Sequence, residues 1–137
     1  MEKTLGIIKP DAVANGYVGK ILAMATDEGF RIAALRMTRM ALPTAQAFYA
    51  IHKDKPFYGE LTEYMSEGPC VVVALEREDA IAHWRKIMGA TNPEKADPGT
   101  IRKLYAESFT RNAVHGSDAP ETAAQEIPFF FAASEVY

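Results

Sequence analysis

The spacing of apolar residues changes along the chain, and each change marks an element. Residues 4–9 form a short apolar run closed by Lys9-Pro10-Asp11, the pattern of a buried strand ended by proline. Val18, Ile21, Leu22 and Ala25 then recur at helical spacing, up to Gly29. Residues 30–40 have a mixed, strand-like composition. Beyond Pro43, residues 44–52 and 58–66 read as two short helices flanking the polar Lys53-Asp54-Lys55-Pro56. Gly68-Pro69 introduces residues 70–75, whose unbroken apolar character predicts a strand buried on both faces.

The second half follows the same logic. Ile81, Trp84 and Met88 form a helical stripe, with Glu78 and Asp79 placed in the first turn and Arg85 and Lys86 in the last. That charge order complements the helix dipole, and Gly89 ends the segment. Residues 89–99 carry Asn92-Pro93 and Asp97-Pro98-Gly99, so a long ordered loop is expected. A short helix near 100–106 precedes a strand around 113–115. The last helix is expected over about 118–126, with Asp118-x-x-Glu121 in the spacing of a capping box. Reduced to its main elements, the order is β-α-β-(helical pair)-β-α-β. It predicts an α+β, ferredoxin-like βαββαβ fold: one domain over residues 1–137, with a four-stranded antiparallel sheet covered by helices.

Composition changes this picture little. The 137 residues are 48% hydrophobic and 24% charged, as in ordinary globular chains, and the net charge of −3 gives no global attraction to nucleic acid or anionic membranes. Any cations that matter must act locally. Cys70 is alone, which excludes an internal disulfide, and its apolar surroundings read as packing. The apolar patch at 5–8 is too short for a signal peptide or membrane span, so a cytoplasmic setting is expected.

Candidate chemistry starts with three histidines. His83 and His52 fit structural roles on or near helix ends. His115 differs, because it lies just before the expected helix start at Asp118, whose free amides favour anions and oppose protonation of a neighbouring imidazole. A neutral imidazole is a nucleophile, yet the local context alone allows a structural histidine equally well. Glu126, on the same helix, is placed either to fold back and orient His115 or to remain an ordinary surface glutamate. Lys9 ends a strand, Arg85 ends a helix, and Thr91, Arg102 and Arg111 flank the Gly/Pro-rich loop; spacing alone cannot show whether they converge on a phosphate. Phe57, in a polar turn, could stack on a nucleobase. Gly16-Tyr17-Val18-Gly19-Lys20-Ile21 is too short between its glycines for a phosphate loop and lacks Ser or Thr after the lysine. Phe129-Phe130-Phe131 reads as core or subunit-contact surface, and no His/Cys cluster has zinc spacing.

Four segments together resemble bacterial-type nucleoside diphosphate kinases: Leu5-Gly6-Ile7-Ile8-Lys9-Pro10-Asp11-Ala12, Gly89-Ala90-Thr91-Asn92-Pro93, Pro98-Gly99-Thr100-Ile101-Arg102 and Asn112-x-x-His115-Gly116-Ser117-Asp118. The similarity runs over nearly the whole chain. It implies a ping-pong reaction in which a nucleoside triphosphate, typically ATP, phosphorylates His115 and a nucleoside diphosphate collects the group. By the same resemblance, Lys9 contacts ribose hydroxyls and phosphate with Tyr49 beside it, while Arg85, Thr91 and Arg102 clamp phosphates. Asn112 holds the sugar 3′-hydroxyl, Phe57 stacks on the base, and Glu126, supported by Ser117, bonds the non-reacting nitrogen of His115. Mg²⁺ arrives on the nucleotide's phosphates, with no protein metal site expected. The resemblance also implies a homo-oligomer, a tetramer or hexamer of dimers, with the loop at 96–99 near subunit contacts. Two positions depart from the family pattern: Phe109 stands where a smaller aliphatic residue is expected, and Lys55 where arginine is frequent. Three other readings are weighed against a kinase: a catalytically silent nucleotide-binding module, a structural or regulatory oligomer, and a metal-dependent phosphohydrolase using His115 and Asp118.

Overall fold

The chain is described over residues 1–137 by a computed structural model. Four strands, β1 (Glu2–Ile8), β2 (Arg31–Thr38), β3 (Cys70–Arg77) and β4 (Val114–Gly116), form one sheet in the order β2-β3-β1-β4. All three pairings are antiparallel. This is the expected α+β architecture. Helices α1 (Pro10–Ala14), α2 (Val18–Asp27), α3 (Leu42–Phe48), α4 (Tyr58–Ser66), α5 (Ala80–Met88), α6 (Ile101–Tyr105) and α7 (Pro120–Phe130) cover both faces.

Period-two alternation explains why β3 looks uniformly apolar in the sequence. Val71, Val73 and Leu75 point into one core, with Ile21, Phe30, Trp84, Met88 and Ile101. Cys70, Val72 and Ala74 point into the other, with Leu5, Ile7, Tyr49, Tyr64 and Phe130. A strand with a core on each side needs apolar residues at every position. On β4 the alternation has a chemical result. Val114 belongs to the first core, whereas His115, paired with Ile7 of β1, faces the second side, against α3 and α7.

Several boundaries differ from the expectation for identifiable reasons. Pro10 does not merely end β1; it occupies the first turn of α1, where its missing N–H is harmless. In α5, Glu78 lies outside the helix and Asp79 flanks it in the left-handed region (φ 52°). Helix α7 starts later and runs further than expected, through Pro128 to Phe130. Asp118 is not its cap. The Thr122 hydroxyl instead accepts the Asp118 and Ala119 N–H groups at 3.1 and 2.9 Å and donates to the Ala119 carbonyl. The loop after Gly89 contains a 3₁₀ turn, Pro93–Lys95, begun by Asn92, whose side chain accepts the Glu94 N–H.

Candidate active site

His115 sits on a strand of only three residues, so its placement depends on what surrounds β4. The buried Arg102 guanidinium donates to the carbonyls of Asn112 (3.3 Å), Gly89 (3.0 Å) and Val114 (2.9 Å), tying the loop after α5 to β4. Ala113 adopts φ 73°, an uncommon conformation for a residue with a side chain. The turn it makes lets the Ala113 carbonyl accept the Lys9 N–H at 2.8 Å and turns Asn112 toward Lys9. From the opposite side, the Trp84 indole N–H donates to the His115 carbonyl at 3.1 Å.

The imidazole is held at one nitrogen. His115 Nε2 lies 3.0 Å from Glu126 Oε1, the same oxygen that accepts the Ser117 hydroxyl at 2.8 Å. Ser117 Oγ in turn accepts the Leu5 N–H at 3.1 Å, so the chain of bonds is anchored in β1. Burial raises the Glu126 carboxyl, but the hydrogen bond and charge of His115 and the Ser117 hydroxyl together hold it below the usual carboxylate range. An ionised carboxylate only accepts, so Nε2 carries the proton and a neutral ring has its lone pair on Nδ1. The rings of Phe48 and Tyr49 approach the imidazole at 5.5 and 6.4 Å between centroids, both nearly perpendicular to it. The amides of Asp118 and Ala119, expected to be free for an anion, are instead occupied by Thr122.

His115 opens into a cleft of about 800 Å³. Lys9, Tyr49, Phe57, Arg85, Thr91, Arg102, Asn112 and Glu126 line it as well. The fold thus brings together every site residue expected from the sequence except Ser117, which is fully buried behind Glu126. Lys9 donates to Asn112 Oδ1 at 2.7 Å, and Asn112 Nδ2 donates to the Phe109 carbonyl at 2.9 Å. Burial, then the Arg102 charge, pushes the Lys9 ammonium down to about 7, with Asp11 opposing. Burial and the charge of Arg85 push Arg102 down to about 10, so it stays cationic at neutral pH. Tyr49 is buried with no partner for its hydroxyl, and burial, reinforced by the Glu126 charge, raises its pKa strongly. Arg85 bonds Asp118 Oδ1 at 2.7 Å at the exposed edge. Phe57 and Phe109 are exposed aromatics on the rim.

His83 lies elsewhere, 3.2 Å from Glu28, and His52 packs at a tilt beside Phe57 with ring centroids 5.6 Å apart. Cys70 is buried in the core, where burial pushes its thiol up to about 11. No group of three or more His, Cys, Asp or Glu side chains is placed to hold a metal ion. No helix is long and apolar enough to cross a membrane.

Sequence reasoning missed Trp84 and Thr122 as supports of the site: the helical stripe marks Trp84 only as core, and nothing in the sequence marks Thr122. The arrangement offers one ring nitrogen free of hydrogen bonds, four basic side chains (Lys9, Arg85, Arg102 and Arg111) and exposed aromatic surface around one opening, which suits a phosphorylated aromatic ligand.

Comparison with known proteins agrees with this chemistry. The family model described as "Nucleoside diphosphate kinase" matches residues 2–136. The chain is 56% identical over 136 residues to the nucleoside diphosphate kinase of Chlorobaculum tepidum, covering 99% of this chain and 97% of that one. It is 57% identical to that of Cereibacter sphaeroides, with the same coverage. Among solved structures, the Aquifex aeolicus nucleoside diphosphate kinase superposes with a TM-score of 0.97 at 45% identity, over 99% of both chains. The Halobacterium salinarum enzyme, solved in complex with CDP, superposes at 0.95 with 34% identity, over 99% of this chain and 91% of that one. With the family model matching almost end to end and relatives this similar, the chain belongs to the nucleoside diphosphate kinase family of phosphotransferases.

Proposed function

We propose that this enzyme moves the γ-phosphate of a nucleoside triphosphate, typically ATP, to a nucleoside diphosphate by a ping-pong reaction through His115. The observation that carries this reading is the Glu126–His115 bond at Nε2, which leaves Nδ1 as the free nucleophile in a cationic cleft. Nδ1 attacks the γ-phosphorus, and the bond to the bridging oxygen of the β-phosphate breaks. The diphosphate leaves with that electron pair. The ring becomes cationic while Nε2 keeps its proton, and the Glu126 carboxylate balances the new charge. A terminal oxygen of the second diphosphate then attacks the phosphorus, and the N–P electron pair returns to Nδ1.

The cations and aromatics bind and orient. Arg85, Thr91 and Arg102 clamp the phosphates, and Lys9 contacts phosphate and ribose hydroxyls with Tyr49 beside it. Asn112 holds the 3′-hydroxyl; its Oδ1 and Nδ2 each make one internal bond and keep one further hydrogen-bonding site. The enzyme accepts a broad range of bases and sugars, and Phe57 supports the first by stacking on the base without reading its edges. The CDP complex of the Halobacterium relative supports nucleotide as the ligand class. Mg²⁺ belongs to the substrate, carried on the nucleotide's phosphates and balancing their charge. Of the carboxylates lining the cleft, Glu126 is committed to His115, Asp118 to Arg85 and Glu67 to Arg111, while Glu60 and Glu63 lie exposed at the mouth.

Residues 1–137 act as one domain, in a cytoplasmic setting and in a homo-oligomer, a tetramer or hexamer of dimers. The exposed Leu35 and Met37 on the edge strand β2 support self-association. The decisive experiment is intact mass after brief exposure to Mg-ATP without acceptor, followed by GDP. One acid-labile phosphoryl group that disappears as GTP forms is the expected result. Release of inorganic phosphate without acceptor, or no adduct on folded protein, overturns the reading.

A further inference from the structure

Asp11 has no part in the reaction as written, yet its position is unusual. It is 1% exposed, lies in the first turn of α1 two residues after Lys9, and is a buried acidic side chain with no salt bridge. Its Oδ1 accepts the Tyr64 hydroxyl from α4, and its Oδ2 is buried with no hydrogen-bond partner. The Tyr64 ring lies under Lys9 Nζ, 5.8 Å from the ring centroid. A carboxylate buried without a cation is expensive, so a neighbouring charge is expected to balance it.

The other charges around Lys9 leave one pairing open. Arg102 from α6 carries like charge, as do Arg85 from α5 and Arg111 beside Tyr64. Glu126 of α7 is taken by His115 and Ser117, and Asp118 by Arg85. Glu67 and Glu107 are taken by Arg111. Glu60 and Glu63 line the cleft mouth but face solvent. Tyr49 and Tyr64 stay neutral, because burial raises both. Asp11 is the one buried carboxylate near Lys9 without a cationic partner, and its charge favours the protonated lysine.

We propose that Asp11 is the positioning residue of Lys9: a buried carboxylate, anchored by the Tyr64 hydroxyl, that serves as the lysine's counter-charge. Lys9 already sits among cations that must attract phosphate. A counter-charge on its protein side opposes the loss of its proton before the nucleotide arrives, without occupying the face turned to the ligand. The importance of this for turnover rests on the phosphoryl-transfer reading above; the pairing itself does not.

The test follows the Lys9 amine directly. Trace acylation across the pH range, read by peptide mass spectrometry, gives its titration midpoint in the wild type and in Asp11→Asn. The midpoint is expected to fall by about one pH unit in the variant. ATP-to-GDP transfer above that midpoint is expected to fall about tenfold, with the alkaline limb of its pH profile moving by the same interval. An unchanged midpoint in folded Asp11→Asn overturns the proposal. Should that variant fail to fold, Lys9→Met/Asp11→Asn decides. Recovered folding in the double variant supports the pairing, because the uncompensated ammonium has gone; equal loss in both overturns it. A wild type that shows the Lys9 midpoint but transfers no phosphate sinks the reading of function and leaves the pairing standing.

Discussion

Gly116 follows His115 where β4 passes over Trp84, and it has no room for a side chain. A Cβ there would meet Trp84 Cδ1 at 2.6 Å, Met88 Cε at 2.8 Å and Trp84 Nε1 at 3.0 Å. Ordinary contact begins at 3.4 Å, so Gly116→Ala must open a gap of about 0.8 Å. Met88 can bend aside. Trp84 cannot, being 1% exposed and packed edge-on against Phe30 at 6.0 Å. The strand must therefore move, and with it the His115 carbonyl bonded to Trp84 and the ring bonded to Glu126. Overpacking of this size costs about 1–3 kcal/mol of stability. A displacement approaching 1 Å at the nucleophile is expected to slow His115 phosphorylation by up to about a hundredfold. Urea denaturation measures the first quantity and single-turnover labelling with Mg-ATP the second. Gly19→Ala is the control, since nothing lies within 4 Å of its Cβ position. Should Gly116→Ala match the wild type in both assays, the claim that close approach to Trp84 sets the His115 position is wrong.

Four further outcomes are expected. His115→Ala abolishes phosphoenzyme formation while folding and nucleotide binding persist, as circular dichroism and equilibrium binding will show. Glu126→Gln removes a charge-assisted bond worth about 1.5–3 kcal/mol, and phosphorylation slows by about tenfold to a hundredfold. Phe57→Ala weakens nucleotide binding by about 1–3 kcal/mol and leaves pyrophosphate binding, measured by calorimetry, unchanged. Lys9 gives a stability signature of defined sign. Its pKa is lowered from 10.5 to about 7 on folding, so between those values the unfolded chain holds more protons and Lys9 makes stability rise with pH. Its contribution is lost as pH falls through that window. Cys70, raised to about 11, acts in the opposite direction, so the measurement is the difference between wild type and Lys9→Met in denaturation midpoint against pH.

The sequence alone determined what local chemistry can specify. Apolar periodicity marks β1, β3, α2 and α5 because each buries a face or a stripe, and the valine-rich run 70–75 after Gly68-Pro69 favours a strand buried on both sides. The motif around His115 was specific enough to point to the family, which the comparisons bear out. The tertiary structure decided how distant residues meet. Arg102 and Asn112 reach Lys9's end of the cleft only because β4 pairs with β1, and Glu126 meets His115 only because α7 packs back over that pair. It also decided the capping of α7, where the three-residue spacing at Asp118 matched a capping box while Thr122 makes the bonds. Least legible was Asp11. Its role depends on a tyrosine 53 positions away and on burial, and both are properties of the packed chain rather than of the residues beside it.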